Sequence, residues 1–302
     1  MLDRRDFYID GAWRAPSSPR SYPVINPATE EQFATISLGS SADVDAAVAA
    51  ARTAFGAWST TGRNERVSLL EKLLAIYQSR SGEMADLIRQ EMGAPATLAL
   101  NAQAGSGAAH LKDAIRSLKS FEFEHSLDAR NPHERIVYEA IGVCGLITPW
   151  NWPMNQVMLK VAPALAAGCT IVLKPSEVAP LSSMLLAEII HDAGFPAGVF
   201  NLINGDGEGI GGPMSRHPDI DMLSFTGSSR AGVAVQKAAA DSIKRVSLEL
   251  GGKSPNIVFA DSDLQNAIKR GVRHCFQNTG QSCNAPTRML VERSVYDDAV
   301  SI

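Results

Sequence analysis

The stretch Asn278-Thr279-Gly280-Gln281-Ser282-Cys283-Asn284-Ala285 sets one cysteine among small and polar neighbours, with no Leu, Ile, Val or Phe between Asn278 and Met289. A cysteine kept for packing usually sits among apolar residues. This one follows a glycine, where backbone can approach a small molecule and a thiolate can reach it. A free thiol has a pKa of about 8.5, so a nucleophilic cysteine needs backbone N–H dipoles or a nearby base. The plainer account is a satisfied loop residue. Glu249, in Leu248-Glu249-Leu250-Gly251-Gly252-Lys253, stands between two leucines. A carboxylate in apolar company is costly unless it has a task, and burial raises its pKa toward the range of a general base. The alternative is a Glu facing solvent from a strand end.

Other unusual residues sit where strands are expected to end. In Thr148-Pro149-Trp150-Asn151-Trp152-Pro153 the prolines stiffen a turn, and the Asn151 amide could donate to a developing oxyanion. Turn geometry alone also accounts for an Asn there. Lys174-Pro175-Ser176-Glu177 offers a Lys and a Glu suited to ribose hydroxyls, or an exposed ion pair. An acid at that place favours NAD over NADP, whose 2′-phosphate it would repel. Gly205 to Gly212 contains Gly-x-Gly spacings, a weak signal by itself. Phe225-Thr226-Gly227-Ser228 joins a strand to a helix, so Ser228 and nearby N–H groups would face a pyrophosphate.

These residues need a frame. Phe7–Ile9 and Ala12–Trp13 read as a hairpin about Asp10-Gly11, and Pro16, Pro19 and Pro23 as forcing extended chain to a turn at Asn26-Pro27. Helices are expected over Val44–Trp58, capped by Ser41 or Asp43, then Arg63–Ser79, Gly82–Met92 and Ala96–Phe121. The charged run from Glu122 to Tyr138 suggests two short strands around a turn, either an arm paired with another subunit or a solvated loop. From Ile141 strands alternate with helices. Strands are expected at Gly142–Ile147, Thr170–Leu173, Val199–Ile203, Met222–Phe225 and Arg245–Leu248. The helices between them are Asn155–Ala166, Leu181–Ala193 and Ser229–Ala240. This predicts a parallel sheet covered on both faces, with ligands at the carboxyl ends of its strands. A strand at Ile257–Phe259 and a helix over Leu264–Phe276 begin a second unit.

The blocks Pro149–Pro153, Lys174–Glu177, Phe225–Ser228, Leu248–Lys253 and Gly280–Cys283 together, in order and spacing, resemble the aldehyde dehydrogenase superfamily, from Phe7 to the last residues. The resemblance implies an α/β chain with a Rossmann-like cofactor domain over 1–121 and 141–250. It further implies an oligomerisation hairpin over 122–140 and the start of a catalytic domain over 251–302. Cys283 is then the nucleophile, Glu249 the general base and Asn151 the oxyanion donor. Cofactor contacts fall on Thr148, Pro149, Trp150, Lys174, Ser176, Glu177, Gly207, Gly211, Phe225, Thr226, Gly227, Ser228, Leu250 and Gly251. The implied reaction oxidises an aldehyde to a carboxylic acid with NAD, NADP being the second choice, in a homodimer or homotetramer. Family members continue well past the cysteine, so a fragment is expected. An inactive NAD-binding module and a coenzyme A-acylating dehydrogenase are the competing readings.

The bulk numbers agree. The 302 residues are 45% hydrophobic and 20% charged with net charge −4, which gives no basic footprint for nucleic acid or membrane. Cys144, Cys169, Cys275 and Cys283 show neither disulfide nor zinc spacing, and no metal is expected. The amino terminus leads into no apolar segment, and a cytoplasmic protein is expected.

Overall fold

Five short strands open the chain: β1 (Leu2–Arg4), β2 (Phe7–Ile9), β3 (Ala12–Arg14), β4 (Arg20–Asn26) and β5 (Glu31–Leu38). They are described in a computed structural model that covers all 302 residues. The hairpin of β2 and β3 turns at Asp10 and Gly11, both at positive φ. Where only extended chain is expected around the prolines, β1, β5 and β4 form a three-stranded sheet. Pro23 is tolerated because β4 is an outer strand, where a missing N–H breaks no ladder.

A helical layer follows. Helix α1 (Ser41–Ser59) starts earlier than expected, and its cap is Ser40 rather than Ser41 or Asp43. The Asp43 carboxylate accepts the Ser40 N–H at 2.8 Å and the Ser17 N–H at 2.7 Å, tying the helix start to the loop between β3 and β4. Helices α2 (Arg63–Ser79) and α3 (Ser81–Met92) match expectation. The single helix expected over Ala96–Phe121 is instead α4 (Ala96–Leu98), a π-helical segment (Ala99–Ala104) and α5 (Gly105–Ser120). Tyr77, buried on α2, donates its hydroxyl to the Ala104 carbonyl at 2.8 Å, satisfying a group where the helix changes register. A Cβ on Gly107 would lie 2.3 Å from that hydroxyl, so the close approach of α2 and α5 requires glycine. Strands β6 (Glu124–Ser126) and β7 (Arg135–Val137) then form the expected antiparallel hairpin.

The alternating part runs β8 (Val143–Ile147), α6 (Pro153–Ala167), β9 (Thr170–Lys174), α7 (Leu181–Ala193), β10 (Phe200–Leu202), α8 (Gly212–Arg216), β11 (Met222–Gly227), α9 (Ser229–Ala239) and β12 (Arg245–Leu250). They build a seven-stranded sheet, order β12-β11-β8-β9-β10-β2-β3. The first five are parallel, and β2 and β3 are antiparallel additions. Every residue of β8, β9 and β10 is buried, which is why β8 and the centre of β9 read as apolar runs. One face carries a core of Leu70, Tyr77, Leu111, Met154, Met158 and Leu173, the other Val44, Val48, Val143, Val172 and Leu223. Each such side chain contributes about 1.5–3 kcal/mol by leaving water. The chain adds strands in one direction from β8 to β10, then returns to the other side of β8 for β11 and β12. That reversal leaves a crevice at the carboxyl ends of β8 and β11.

Beyond it lie β13 (Pro255–Val258), α10 (Leu264–Phe276), β14 (Arg288–Val291) and α11 (Tyr296–Ser301). Strands β13 and β14 pair in parallel, with Val258, Ile268 and Ala299 at the centre of a small core. The opposite side exposes Ile257, Phe259 and Leu290. No helix is long and apolar enough to cross a membrane.

Candidate active site

Cys283 is exposed and unpaired, and it lines a cleft of about 320 Å³. The chain reaches it from α10 through a tight turn in which Asn278 and Thr279 both adopt left-handed φ near 55° and Gly280 a φ of 75°. The cleft's far wall is the turn after β8, with Pro149, Trp150 and Asn151. Its floor is Thr226, Gly227 and Ser228 after β11, with Leu250 and Gly251 after β12. Cysteine, amide and the turn after β11 are thus far apart in sequence and meet at the crevice left by the strand order.

Asn151 stands just before α6, and its Nδ2 donates to the Gln281 carbonyl at 2.8 Å. One of its two amide hydrogens is therefore committed to the cysteine loop, and one is left for a ligand. The indole of Trp152 donates to the Ser282 hydroxyl at 2.8 Å, fixing the residue next to Cys283.

The expected burial of Glu249 is not met. In β12 exposure alternates: Leu248 and Leu250 are half-buried against the α9 face, and Glu249 is exposed on the other. Alternation names the face a residue occupies but not what covers it, and nothing in this chain covers Glu249. Its neighbourhood is nonetheless that of the cleft. Register pairs Glu249 with Thr226, so both side chains stand on the face that bears α6. Lys160, on α6 and hydrogen-bonded to Ser224 at 2.8 Å, feels the Glu249 charge. Burial pushes that lysine down to about 8, and Glu249 opposes the shift.

Lys174 also departs from expectation. Neither a free ribose contact nor an exposed ion pair, its ammonium is buried, donating to the carbonyls of Pro175 at 2.7 Å and Gly205 at 2.6 Å and pairing with Glu177 at 3.3 Å. Burial lowers its pKa, against the charges of Glu177 and Asp206. It pins the ends of β9 and β10 together, while Glu177 keeps part of its surface in solvent. Ser176 accepts from the Val178 N–H at 3.3 Å. Gly207 and Gly211 begin and end a short π-helical turn after β10 and do not line the Cys283 cleft. A side chain at Gly207 would meet nothing within 4 Å, so its own fold does not require glycine.

The crevice suits a dinucleotide. The buried hydroxyls of Thr148 and Thr226 have no partner although they end adjacent strands. Ser228 caps α9 by accepting from the Ala231 N–H at 3.2 Å, leaving the other first-turn amides facing outward. A Cβ on Gly227 would meet the Phe225 ring at 2.5 Å, so the turn can pass over that ring only as glycine.

Three residues of the site carry no motif. Gln103 reaches Asn151 and Asn278 from the π-helical segment, Gln156 lines the cleft, and Lys160 sits beneath it. The available signal is polarity out of place: Gln156 and Lys160, with Asn155, are the polar residues of an apolar helix, and Gln103 interrupts an alanine-rich one.

Comparison with known proteins places the arrangement. The sequence pattern of the aldehyde dehydrogenase family matches residues 13–302. The chain is 55% identical over 299 residues to 3-succinoylsemialdehyde-pyridine dehydrogenase of a Pseudomonas species, covering 99% of this chain and 62% of that one. It superposes on an aldehyde dehydrogenase from Bartonella henselae with TM-score 0.98 and 58% identity, covering 100% of this chain and 63% of that one. It also superposes on a cysteine-to-alanine mutant of aldehyde dehydrogenase C from Pseudomonas syringae, complexed with NAD+ and octanal. There the TM-score is 0.96 and the identity 51%, covering 98% and 60%. The chain therefore spans about three fifths of the length of these relatives. It belongs to the aldehyde dehydrogenase family.

Proposed function

We propose that this chain carries the cofactor site and the reactive cysteine of an enzyme that oxidises an aldehyde to a carboxylic acid with NAD+. The supporting observation is the cleft on which Cys283, Asn151 and the Thr226–Ser228 turn converge. The Cys283 thiolate adds to the carbonyl carbon. The oxyanion is held by the free hydrogen of the Asn151 amide and by the Cys283 backbone N–H, each donor lowering the barrier by about 3 kcal/mol. NAD+, when bound, supplies the hydride acceptor. Cys283 is left as a thioester. Glu249 takes a proton from the water that hydrolyses it, and the thiolate is restored.

The cofactor is held by the amides at the start of α9 with Ser228, by the unpartnered Thr148 and Thr226 hydroxyls, and by Glu177 toward the adenosine ribose. The Glu177 carboxylate disfavours a 2′-phosphate, hence NAD over NADP. Lys174 acts on that contact through Glu177, with which it pairs at 3.3 Å. The hairpin of β6 and β7, with Val137 and Tyr138 exposed, pairs with a second copy of the chain.

A second reading, cofactor binding without turnover, draws on the open face at Glu249. NADH formation from NAD+ and a panel of aldehydes, measured beside NAD+ binding by calorimetry, separates them. Binding with production supports the dehydrogenase. Binding without production supports the module, and production that requires coenzyme A would replace hydrolysis by acyl transfer.

A further inference from the structure

Gln103 is wholly buried in the π-helical segment; its Nε2 is engaged, while its Oε1 has no partner. Nε2 donates to Asn278 Oδ1 at 2.8 Å and to the Asn151 carbonyl at 3.1 Å. Asn278, also buried, donates in turn to the carbonyls of Asn151 at 2.9 Å and Gln281 at 3.3 Å. The Gln281 carbonyl accepts the Asn151 side chain as well. All these donors meet oxygen atoms that carry no proton, so the orientation of the three amides is settled. Turning any one over would set oxygen against oxygen.

We propose that Gln103 is a positioning residue that holds the Cys283 loop and the Asn151 amide in one frame. Asn278 and Thr279 both adopt left-handed backbone, which costs a non-glycine residue on the order of 1 kcal/mol each and persists only where the surroundings impose it. Gln103 imposes it on Asn278 from the helical layer. It does so at a π-helical register change, a feature often found at functional sites. It does not line the cleft and acts through Asn278 and Asn151. The tether stands on geometry; that the loop it sets is catalytic rests on the function proposed above.

The test is hydrogen exchange by mass spectrometry on the 302-residue chain. Gln103→Met keeps the volume and removes both donors. The amides of Gln281 and Ala285, bonded to the Asn278 and Ser282 carbonyls, are expected to exchange at least about tenfold faster, as loss of one to two hydrogen bonds implies. Amides of α5 and β9 should keep wild-type rates, which a general loosening of the helical layer would not allow. Gln103→Glu must keep a proton to donate even one bond, so its loop should be closer to wild type at pH 6 than at pH 8. This comparison decides alone if the Met variant does not fold. Wild-type exchange of the loop in folded variants, equal acceleration in α5, or a Glu variant indifferent to pH would overturn the proposal. A disturbed loop in a protein that oxidises no aldehyde would leave the tether standing and remove the dehydrogenase function instead.

Discussion

Replacing the Glu249 carboxylate by an amide separates the two halves of the reaction. Glu249→Gln should still deliver a first equivalent of NADH per Cys283 and then turn over about 100-fold more slowly, the scale of a lost general base. Rapid-mixing absorbance at 340 nm reads both phases, and a variant with unaltered steady state would remove the base role. Cys283→Ala should form no NADH and bind NAD+ as the wild type does, since the sulfur is no part of the proposed cofactor contacts; calorimetry checks the second half. At this scale the sequence was legible where composition spoke. The small, polar company of Cys283 marks a loop on a cleft, and the cleft is there. Glu249 was misjudged in burial because neighbouring leucines report the opposite face of a strand. Lys174 was misjudged because its partners, Gly205 foremost, arrive from a distant strand. Gln103 was missed for the same reason.

Among the elements, α3 and α7 are joined by a buried carboxyl group. Glu91, fully buried near the end of α3, accepts the Leu181 N–H at 2.6 Å, the Ser182 N–H at 3.2 Å and the Ser182 hydroxyl, so it caps α7 from outside. Burial raises its pKa to about 7 against those hydrogen bonds. The folded state then holds this proton more tightly than the unfolded chain. The stability Glu91 contributes is complete below its unfolded value of 4.5 and is lost as pH rises toward 7, by on the order of 3 kcal/mol. Glu91→Gln, which mimics the protonated acid, should flatten the fall in melting temperature between pH 4.5 and 7. An unchanged slope would mean the carboxyl is ionised throughout. The long helices and the runs of β8 and β9 were legible because local pattern and burial agree there. The sheet of β1, β5 and β4, and strand β14, were not. Short strands take their stability from partners, and Leu2 pairs with Ala34, Pro255 with Arg288. The π-helical break was hidden because it is stabilised by Tyr77, a residue of another helix.

For the whole molecule, the two exposed apolar features carry separate expectations. If β6 and β7 pair with a second copy, Val137→Lys should lower the mass found by light scattering without changing NAD+ affinity. A monomeric wild type would refute the arm. The uncovered side of β13 and β14 should bind a hydrophobic dye, and Ile257→Thr with Leu290→Lys should reduce that fluorescence several-fold. Equal fluorescence would place the dye elsewhere. Neither change lies on the crevice, so both leave the cofactor site intact.

The central claim is that the acyl group resides on Cys283 between oxidation and hydrolysis. The direct measurement is peptide mass mapping of the Glu249→Gln protein, acid-quenched after mixing with NAD+ and an aldehyde. The account predicts an acyl mass on the peptide carrying Cys283, in proportion to the NADH formed. NADH formed with that peptide unmodified would contradict it.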